Sequence, residues 1–281
     1  MKLCDLHTHS VFSDGTFSPK EIINSAIDAG LTSVALCDHN TADGLNEFIN
    51  AAKGKDIEAI PGVEFSVDYN GTELHLLALY IPEDMFCKVA DLMKTVNERK
   101  RQSNIELIAS LNRAGYNIDY ETIKKSTPNG KFNRVHIAAQ LTKQGYTKSV
   151  KEAFDTLLSP KSGYYKEPER LLFSDMIDFI ISINAIPVLA HPFLNMNREE
   201  LEKFLPIAKS QGLSGMECYY SLYDEKTTQA ALELADKYNL KYSGGSDFHG
   251  NNKPNISLGS GKGNLKIPQE WAIILKSDKN N

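Results

Sequence analysis

The chain has 281 residues, 41% of them apolar and 24% charged, and a net charge of −5. Such proportions are those of an ordinary globular protein and exclude a disordered or fibrous chain, while the length admits one large core with or without an insertion. No run approaches the roughly 20 apolar residues of a membrane span. The start carries Asp5 where a signal peptide would be apolar, and Cys4, Cys37, Cys87 and Cys218 form no Cys-x-x-Cys pair. A cytoplasmic chain with reduced cysteines is expected.

Taken in chain order, KLCDL, SVALC, EAIPGVEF and ELHLLALYI read as strands from their length and apolar content. Between the first two lies SPKEIINSAIDAGL, in which Ser18 caps a helix, Pro19 opens it, Glu21 completes a capping box and Gly30 ends it. The next helix begins at Thr41 and stops near Gly54. From about Pro82 to Ser159 the alternation breaks, and one long helical pattern is followed by DYETIKKS, RVHIAAQLTKQG and SVKEAFDTLL. Residues 82–159 therefore read as an all-helical insertion, a lid or cap, in a body made of residues 1–81 and 160–281. IPVLA, GMECYY and LKYSGG then resume the strands, with REELEKFLPIAKSQG and DEKTTQAALELADKYN as helices between them. Strand followed by helix predicts an α/β fold around a parallel sheet, closed as a barrel or open.

Charge is unevenly spread. Between Lys100 and Tyr165 eleven Lys and Arg stand against five Asp and Glu, a local +6 that leaves −11 on the rest. This region faces an anion or is a solvated helical surface. The acidic whole gives no reason to expect nucleic acid as a general partner.

The main signal is where the seven histidines fall. His7 and His9 close the first strand pattern, and a period of two puts both on one face, within reach of one ion. His39 ends the second pattern, Glu64 the third, and His75 lies in the fourth. His191 ends the strand after the insertion, Asp247 and His249 end the last, and Asp14 lies in the first loop. A lone histidine in an apolar strand is ordinary core, and Asp-Gly is an ordinary turn. Six histidines recurring at strand ends, with carboxylates beside them, are what a multinuclear nitrogen and oxygen metal site requires.

DLHTHSVFSDG, CDHN, GVE, LAHP and SDFH resemble, in order and along nearly the whole chain, the PHP (polymerase and histidinol phosphatase) superfamily of metal-dependent phosphoesterases. The resemblance implies a distorted (β/α)7 TIM-like barrel with two or three divalent ions. It implies His7, His9, Glu64 and Asp247 on one ion, with Glu64 bridging to a second held by His75 and His191. Asp14, His39 and His249 would hold the third. Asp38 is expected to orient a neighbour rather than to ligate. Manganese, zinc and iron all suit such donors, and magnesium is compatible.

The insertion, with its NRVHIAAQL, resembles the branch of nucleoside 3′,5′-bisphosphate phosphatases and short-RNA 5′-exonucleases, in which an Arg-Pro-His stretch contributes to phosphate binding. Here Val135 replaces the proline. With Asn133 as cap, Arg134 and His136 fall in the first helical turn, where free N–H groups favour an anion; Lys166 joins them as a candidate phosphate clamp. The implied activity is hydrolysis of small nucleotide phosphate monoesters, or of the 5′ ends of short RNA, by hydroxide generated at the ions. Three divalent ions against three carboxylates leave about +3, enough to draw a phosphate dianion to an acidic protein. Two alternatives stand beside this one: a histidinol-phosphate phosphatase, and a PHP-like domain that binds metal or a partner without catalysis. Neither a membrane nor an obligate protein partner is expected.

Overall fold

The computed structural model describes residues 2–125 and 134–277. It divides into two compact units, one running to Asp91 and resuming at Leu171, the other spanning Leu92–Arg170. In the first unit β1 (Leu3–Thr8), α1 (Pro19–Asp28), β2 (Ser33–Leu36) and α2 (Leu45–Ala52) are followed by β3 (Glu58–Tyr69) and β4 (Thr72–Leu79). The division between the units falls inside α3 (Phe86–Arg113), which precedes α4 (Tyr120–Lys125), α5 (Arg134–Lys143) and α6 (Val150–Asp155). The first unit resumes with β5 (Leu171–Leu172), α7 (Phe173–Ser182), β6 (Ile186–Leu189) and α8 (Arg198–Ser210). β7 (Gly215–Tyr220), α9 (Glu225–Lys237), β8 (Lys241–Gly245), β9 (Ile267–Pro268) and α10 (Gln269–Lys276) complete it. The second unit has an apolar core of its own, in which Leu107 and Leu111 of α3 meet Ile137 and Leu141 of α5. No described helix is long and apolar enough to cross a membrane.

Local chemistry explains most helix starts. Ser18 accepts from the Glu21 amide and the Glu21 carboxylate reaches back, closing the expected capping box of α1. Asn197 and Glu200 do the same for α8, and Asp224 caps α9. The second helix starts at Leu45 rather than at Thr41. The Thr41 hydroxyl accepts from the Asp43 amide, so it closes a local turn in place of a cap. α7 and α10 were not foreseen from the sequence; α7 has no side-chain cap hydrogen bond and starts directly after a two-residue strand.

The sheet runs β8-β7-β6-β4-β3-β2-β1-β9, with β5 beside β3. Apart from the two-residue β9, antiparallel to β1, it departs from an all-parallel order at β4, which is antiparallel to both β3 and β6. The cause lies in Asn70 and Gly71, both at positive φ (52° and 86°), which form a two-residue turn between β3 and β4. An Asn-Gly turn of this hand makes a hairpin, whereas a parallel pair needs a long crossover. β8 returns to β1 through Asp247 N–H to His7 O (2.8 Å) and His9 N–H to Phe248 O (2.9 Å), so the sheet is a nearly closed barrel. The fold is thus the distorted (β/α)7 TIM-like barrel, with helices inserted after β4.

Alternate residues of successive strands, among them Cys4, Leu6, Ala35, Ile60, Leu77 and Val188, form one buried apolar cluster. On β2, β3 and β4 the same alternation continues from Ala35, Ile60 and Leu77 to His39, Glu64 and His75. On β1 it does not, because His7 is out of step with Cys4 and Leu6. A register shift between Asp5 and Thr8 brings it round. His191 is out of step with Val188, and its φ of 28° supplies the corresponding turn on β6. Backbone bonds continue through this layer, from Cys37 N–H to Thr8 O, Asn40 N–H to Glu64 O and Ala190 N–H to His75 O. Barrel closure also depends on Gly245, where a Cβ would lie 2.2 Å from the His7 Cβ and 2.6 Å from its amide nitrogen. Gly245→Ala is expected to force β8 from β1 and to cost about 1–3 kcal/mol, the usual range for overpacking. A urea melt with an unchanged midpoint would contradict that close approach.

Candidate metal centre

The centre is built around one carboxylate. Glu64, in the middle of β3, is fully buried, and four strand ends or loops bring imidazoles to it. His75 Nδ1 and His191 Nε2 lie 2.8 and 3.0 Å from its Oε1. His39 Nδ1, His7 Nε2 and His9 Nε2 lie 2.9, 3.3 and 3.3 Å from its Oε2. Asp247 Oδ1 stands 3.2 Å from His9 Nε2, and His249 Nε2 stands 3.2 Å from Asp14 Oδ1. All nine side chains singled out in the sequence therefore meet at one end of the barrel.

Because β4 runs backwards, His75 reaches this end from the first half of its strand, whereas the other strand-borne groups come from the later half. The cluster is closed below and open above. His7, His9 and Glu64 are buried, while the Asp14 side chain is 55% exposed and those of His39 and His75 about a quarter.

Several atoms here satisfy no hydrogen bond. Glu64 Oε2 has none of hydrogen-bond geometry despite its three imidazole neighbours, and His9 Nδ1 and His191 Nδ1 have none either. The Nε2 atoms of His7 and His9 face each other at 3.0 Å. Two such lone pairs are compatible only if a proton lies between them or a cation accepts both. Buried polar atoms left in this state are costly, and coordination to a divalent ion would relieve those that face one. Three overlapping donor groups meet the spacing an ion needs: His9, Asp14, His39 and His249; His7, His9 and Glu64; His39, Glu64 and His75. Their all nitrogen and oxygen composition suits divalent ions.

Electrostatics follow the same geometry. Burial opposes the charge on Glu64, but His39, His7 and His75 hold its carboxyl well below the usual range. Burial likewise opposes ionisation of Asp247, which the His9 hydrogen bond and His7 keep low. Burial pushes His9 down to about 3, whereas Glu64 overcomes it at His75 and lifts that imidazole to about 10. At His7 burial is overcome by Glu217 first and Glu64 second, and the pKa stands well above its ordinary value.

Three supporting carboxylates hold this layer in place. Asp38 accepts from Ser10 N–H (2.7 Å), Ser10 Oγ (2.6 Å) and Ser13 Oγ (2.7 Å), fixing the loop that carries Asp14. Asp5, which sequence reasoning did not single out, accepts from Ser246 N–H (2.9 Å) and Gly259 N–H (2.7 Å), tying β1 to the segment before Asp247. Glu217 was also missed. Its Oε1 lies 3.0 Å from His7 Nδ1 and its Oε2 accepts from His191 N–H at 2.7 Å. The available signal was an acid inside an apolar strand, in KLCDL and again in GMECYY. Asp247 is held through its second oxygen by Tyr220 Oη (2.8 Å) and Lys253 Nζ (2.6 Å), neither of them anticipated.

Arg134, His136 and Lys166 all belong to the second unit. Arg134 is the first residue of α5, its guanidinium 4.4 Å from the Tyr165 ring centre and 5.6 Å from that of Phe154. His136 lies half-buried in the same turn, and Lys166 is exposed, its carbonyl accepting from Ser103 Oγ at 2.6 Å. The expected cap, Asn133, lies outside the described residues.

Comparison with known proteins agrees with this architecture. The family model for the PHP domain matches residues 5–167. A 5′-3′ exoribonuclease of Haemophilus influenzae is 30% identical over 249 residues, which cover 88% of this chain and 90% of the relative. A 3′,5′-nucleoside bisphosphate phosphatase of Chromobacterium violaceum is 29% identical, over 87% of this chain and 86% of its own. Among solved structures, an amidohydrolase from Chromobacterium violaceum with bound sulfate and no metal superposes with a TM-score of 0.74 at 27% identity, covering 96% of both chains. A protein of Bifidobacterium adolescentis shares the fold with a TM-score of 0.75 at 24% identity, covering 98% of this chain and 96% of its own. With its barrel, its donor cluster and these matches together, the chain belongs to the PHP domain family and is a metal-dependent phosphoesterase.

Proposed function

We propose that this centre binds divalent ions through all nine side chains and that the enzyme removes phosphate from small nucleotides, either a nucleoside 3′,5′-bisphosphate or the 5′ end of a short RNA. The observation that carries the reading is the convergence of buried imidazoles and carboxylates into three overlapping donor groups, with Glu64 Oε2 at their centre and without a hydrogen bond. In this reading His7, His9, Glu64 and Asp247 take one ion, and Glu64 with His75 and His191 a second. Asp14, His39 and His249 take the third, with manganese, zinc or iron the fitting metals and magnesium compatible. Bound ions would polarise a phosphoryl oxygen and lower the pKa of water from 15.7 towards about 7.

The chain's own residues supply position and charge. The closed floor of His7, His9 and Glu64 keeps water away from the inner donors, and the exposed Asp14 edge leaves the outer ones open to a phosphate. Arg134, His136 and Lys166 are assigned to phosphate recognition because their stretch resembles that of the nucleotide-cleaving branch. A guanidinium held over the Tyr165 ring is able to offer paired N–H groups to phosphate oxygens. The relatives named exoribonuclease and bisphosphate phosphatase support a nucleotide. The helical insertion, taken as residues 82–159, supports it over an amino-alcohol phosphate.

Metal analysis of chelator-stripped and reloaded protein checks the first part. Glu64→Ala is expected to lose more bound ion than any other single replacement, and ion content equal to wild type would remove Glu64 from the bridging role. Since the ions bind only the folded barrel, loading at a hundred times Kd should add about 2.7 kcal/mol of stability. A thermal midpoint that is indifferent to saturating ion contradicts binding at the barrel.

Phosphate release from a nucleoside 3′,5′-bisphosphate, a short 5′-phosphorylated RNA and histidinol phosphate, each with several metals, checks the second part. Turnover of histidinol phosphate alone would move the assignment to that substrate, and inertness to all three would favour a binding domain without catalysis. His249→Ala and Asp14→Ala should each lower the rate on the order of a hundred-fold or more, as loss of metal-site groups does. Arg134→Ala should raise KM about ten-fold or more, the worth of a charged hydrogen bond, and lower kcat less. An unchanged KM would take Arg134 out of the phosphate site.

A further inference from the structure

We propose that Glu217 is a positioning residue that sets which nitrogen of His7 faces the ions and, with its other oxygen, holds His191 in its turned backbone conformation. It lies in the middle of β7, is fully buried and forms no part of the three donor groups. Its two oxygens face two different N–H donors: Oε1 is 3.0 Å from His7 Nδ1, and Oε2 is 2.7 Å from the backbone nitrogen of His191.

A carboxylate accepts at both oxygens and donates at neither. The ring of His7 therefore keeps a hydrogen on Nδ1, and Nε2 is the nitrogen that faces Glu64 Oε2 and His9 Nε2, 3.3 and 3.0 Å away. A neutral imidazole carries one hydrogen, so fixing it on Nδ1 leaves Nε2 as the ligating atom. His191 has a φ of 28°, a strained value for a residue with a side chain. The charged hydrogen bond from its amide to Glu217 offsets that strain at the point where the imidazole leaves β6 for Glu64. One side chain on β7 thus aligns donors on β1 and β6, although β7 contributes none itself.

Glu217→Gln isolates this role, because the amide has the same shape but only one acceptor. If its oxygen takes the His191 N–H, its NH2 faces His7 Nδ1 and favours the tautomer with hydrogen on Nε2, where the ion must bind. If it turns over, two N–H groups oppose each other at His191. The expected result is a variant with wild-type far-UV circular dichroism whose zinc Kd, from chelator competition, rises about 10–100-fold, the usual cost of removing such a support. Glu225→Gln, on the exposed start of α9, should leave it unchanged.

Nitrogen NMR of histidine-labelled, zinc-loaded wild-type protein reads the same proposal without a mutation. The His7 signals, assigned with His7→Asn, should show hydrogen on Nδ1 and zinc on Nε2. Zinc affinity unchanged in a folded Glu217→Gln, or zinc on Nδ1 of wild-type His7, overturns the proposal. Should the variant fail to fold, the wild-type spectrum decides. The inference rests on His7 being an ion ligand, and His7→Asn separates the two failures. If His7→Asn leaves zinc binding intact, the ligand assignment falls; if it weakens binding while Glu217→Gln does not, only the role of Glu217 falls.

Discussion

Burying a carboxylate in the wall of a barrel is the constraint from which the upper half of this structure follows. Glu64 has no exposed surface, and an ionised carboxylate removed from water costs several kcal/mol unless it is compensated. Compensation comes from five imidazoles on β1, β2, β4 and β6 or just past their ends. Burial opposes the charge on His7, His9, His39 and His75 as well, and at His9 it prevails. The barrel mouth is therefore a mutual arrangement, in which donors and acceptors are acceptable only in each other's company.

That arrangement is obtained by departing from regularity at chosen places. The β1 register shift turns His7 and His9 inward, the left-handed backbone at His191 and Asp247 turns two more groups, and the β3–β4 hairpin reverses a strand to bring in His75. Below the mouth, Cys4, Leu6, Ile60 and Leu77 pack by simple alternation into one apolar cluster. Functional geometry is carried by the irregular layer and stability by the regular one.

Legibility in the sequence followed the same division. The nine candidate donors stand out because imidazoles and carboxylates seldom recur at the ends of apolar runs unless they share a ligand, and the α1 capping box is a short-range signal that the structure reproduces. The reversed strand was readable in principle from Asn70-Gly71 between two apolar runs, but the strand-helix rhythm around it suggested a parallel sheet. Asp5, Glu217, Tyr220 and Lys253 were not legible as a group. The significance of Asp5, Glu217 and Tyr220 lies in partners 27 to 254 positions away, pairings that exist only once the strands have assembled, while Lys253 meets Asp247 six positions away across an irregular turn. Gly245 is a similar case, meaningful only once His7 is seen against it.

None of the nine donors lies between Leu92 and Arg170. The segment from Leu92 to Arg170 can therefore lengthen, shorten or change its charge while the donor layer keeps every side chain it needs. If Arg134, His136 and Lys166 recognise phosphate as proposed, hydrolytic power and choice of substrate are separately heritable: one is locked into a ring of mutually dependent residues, the other is written in a segment that carries none of them. On that assignment, a barrel of this kind would acquire a new substrate by exchanging a single continuous piece of chain.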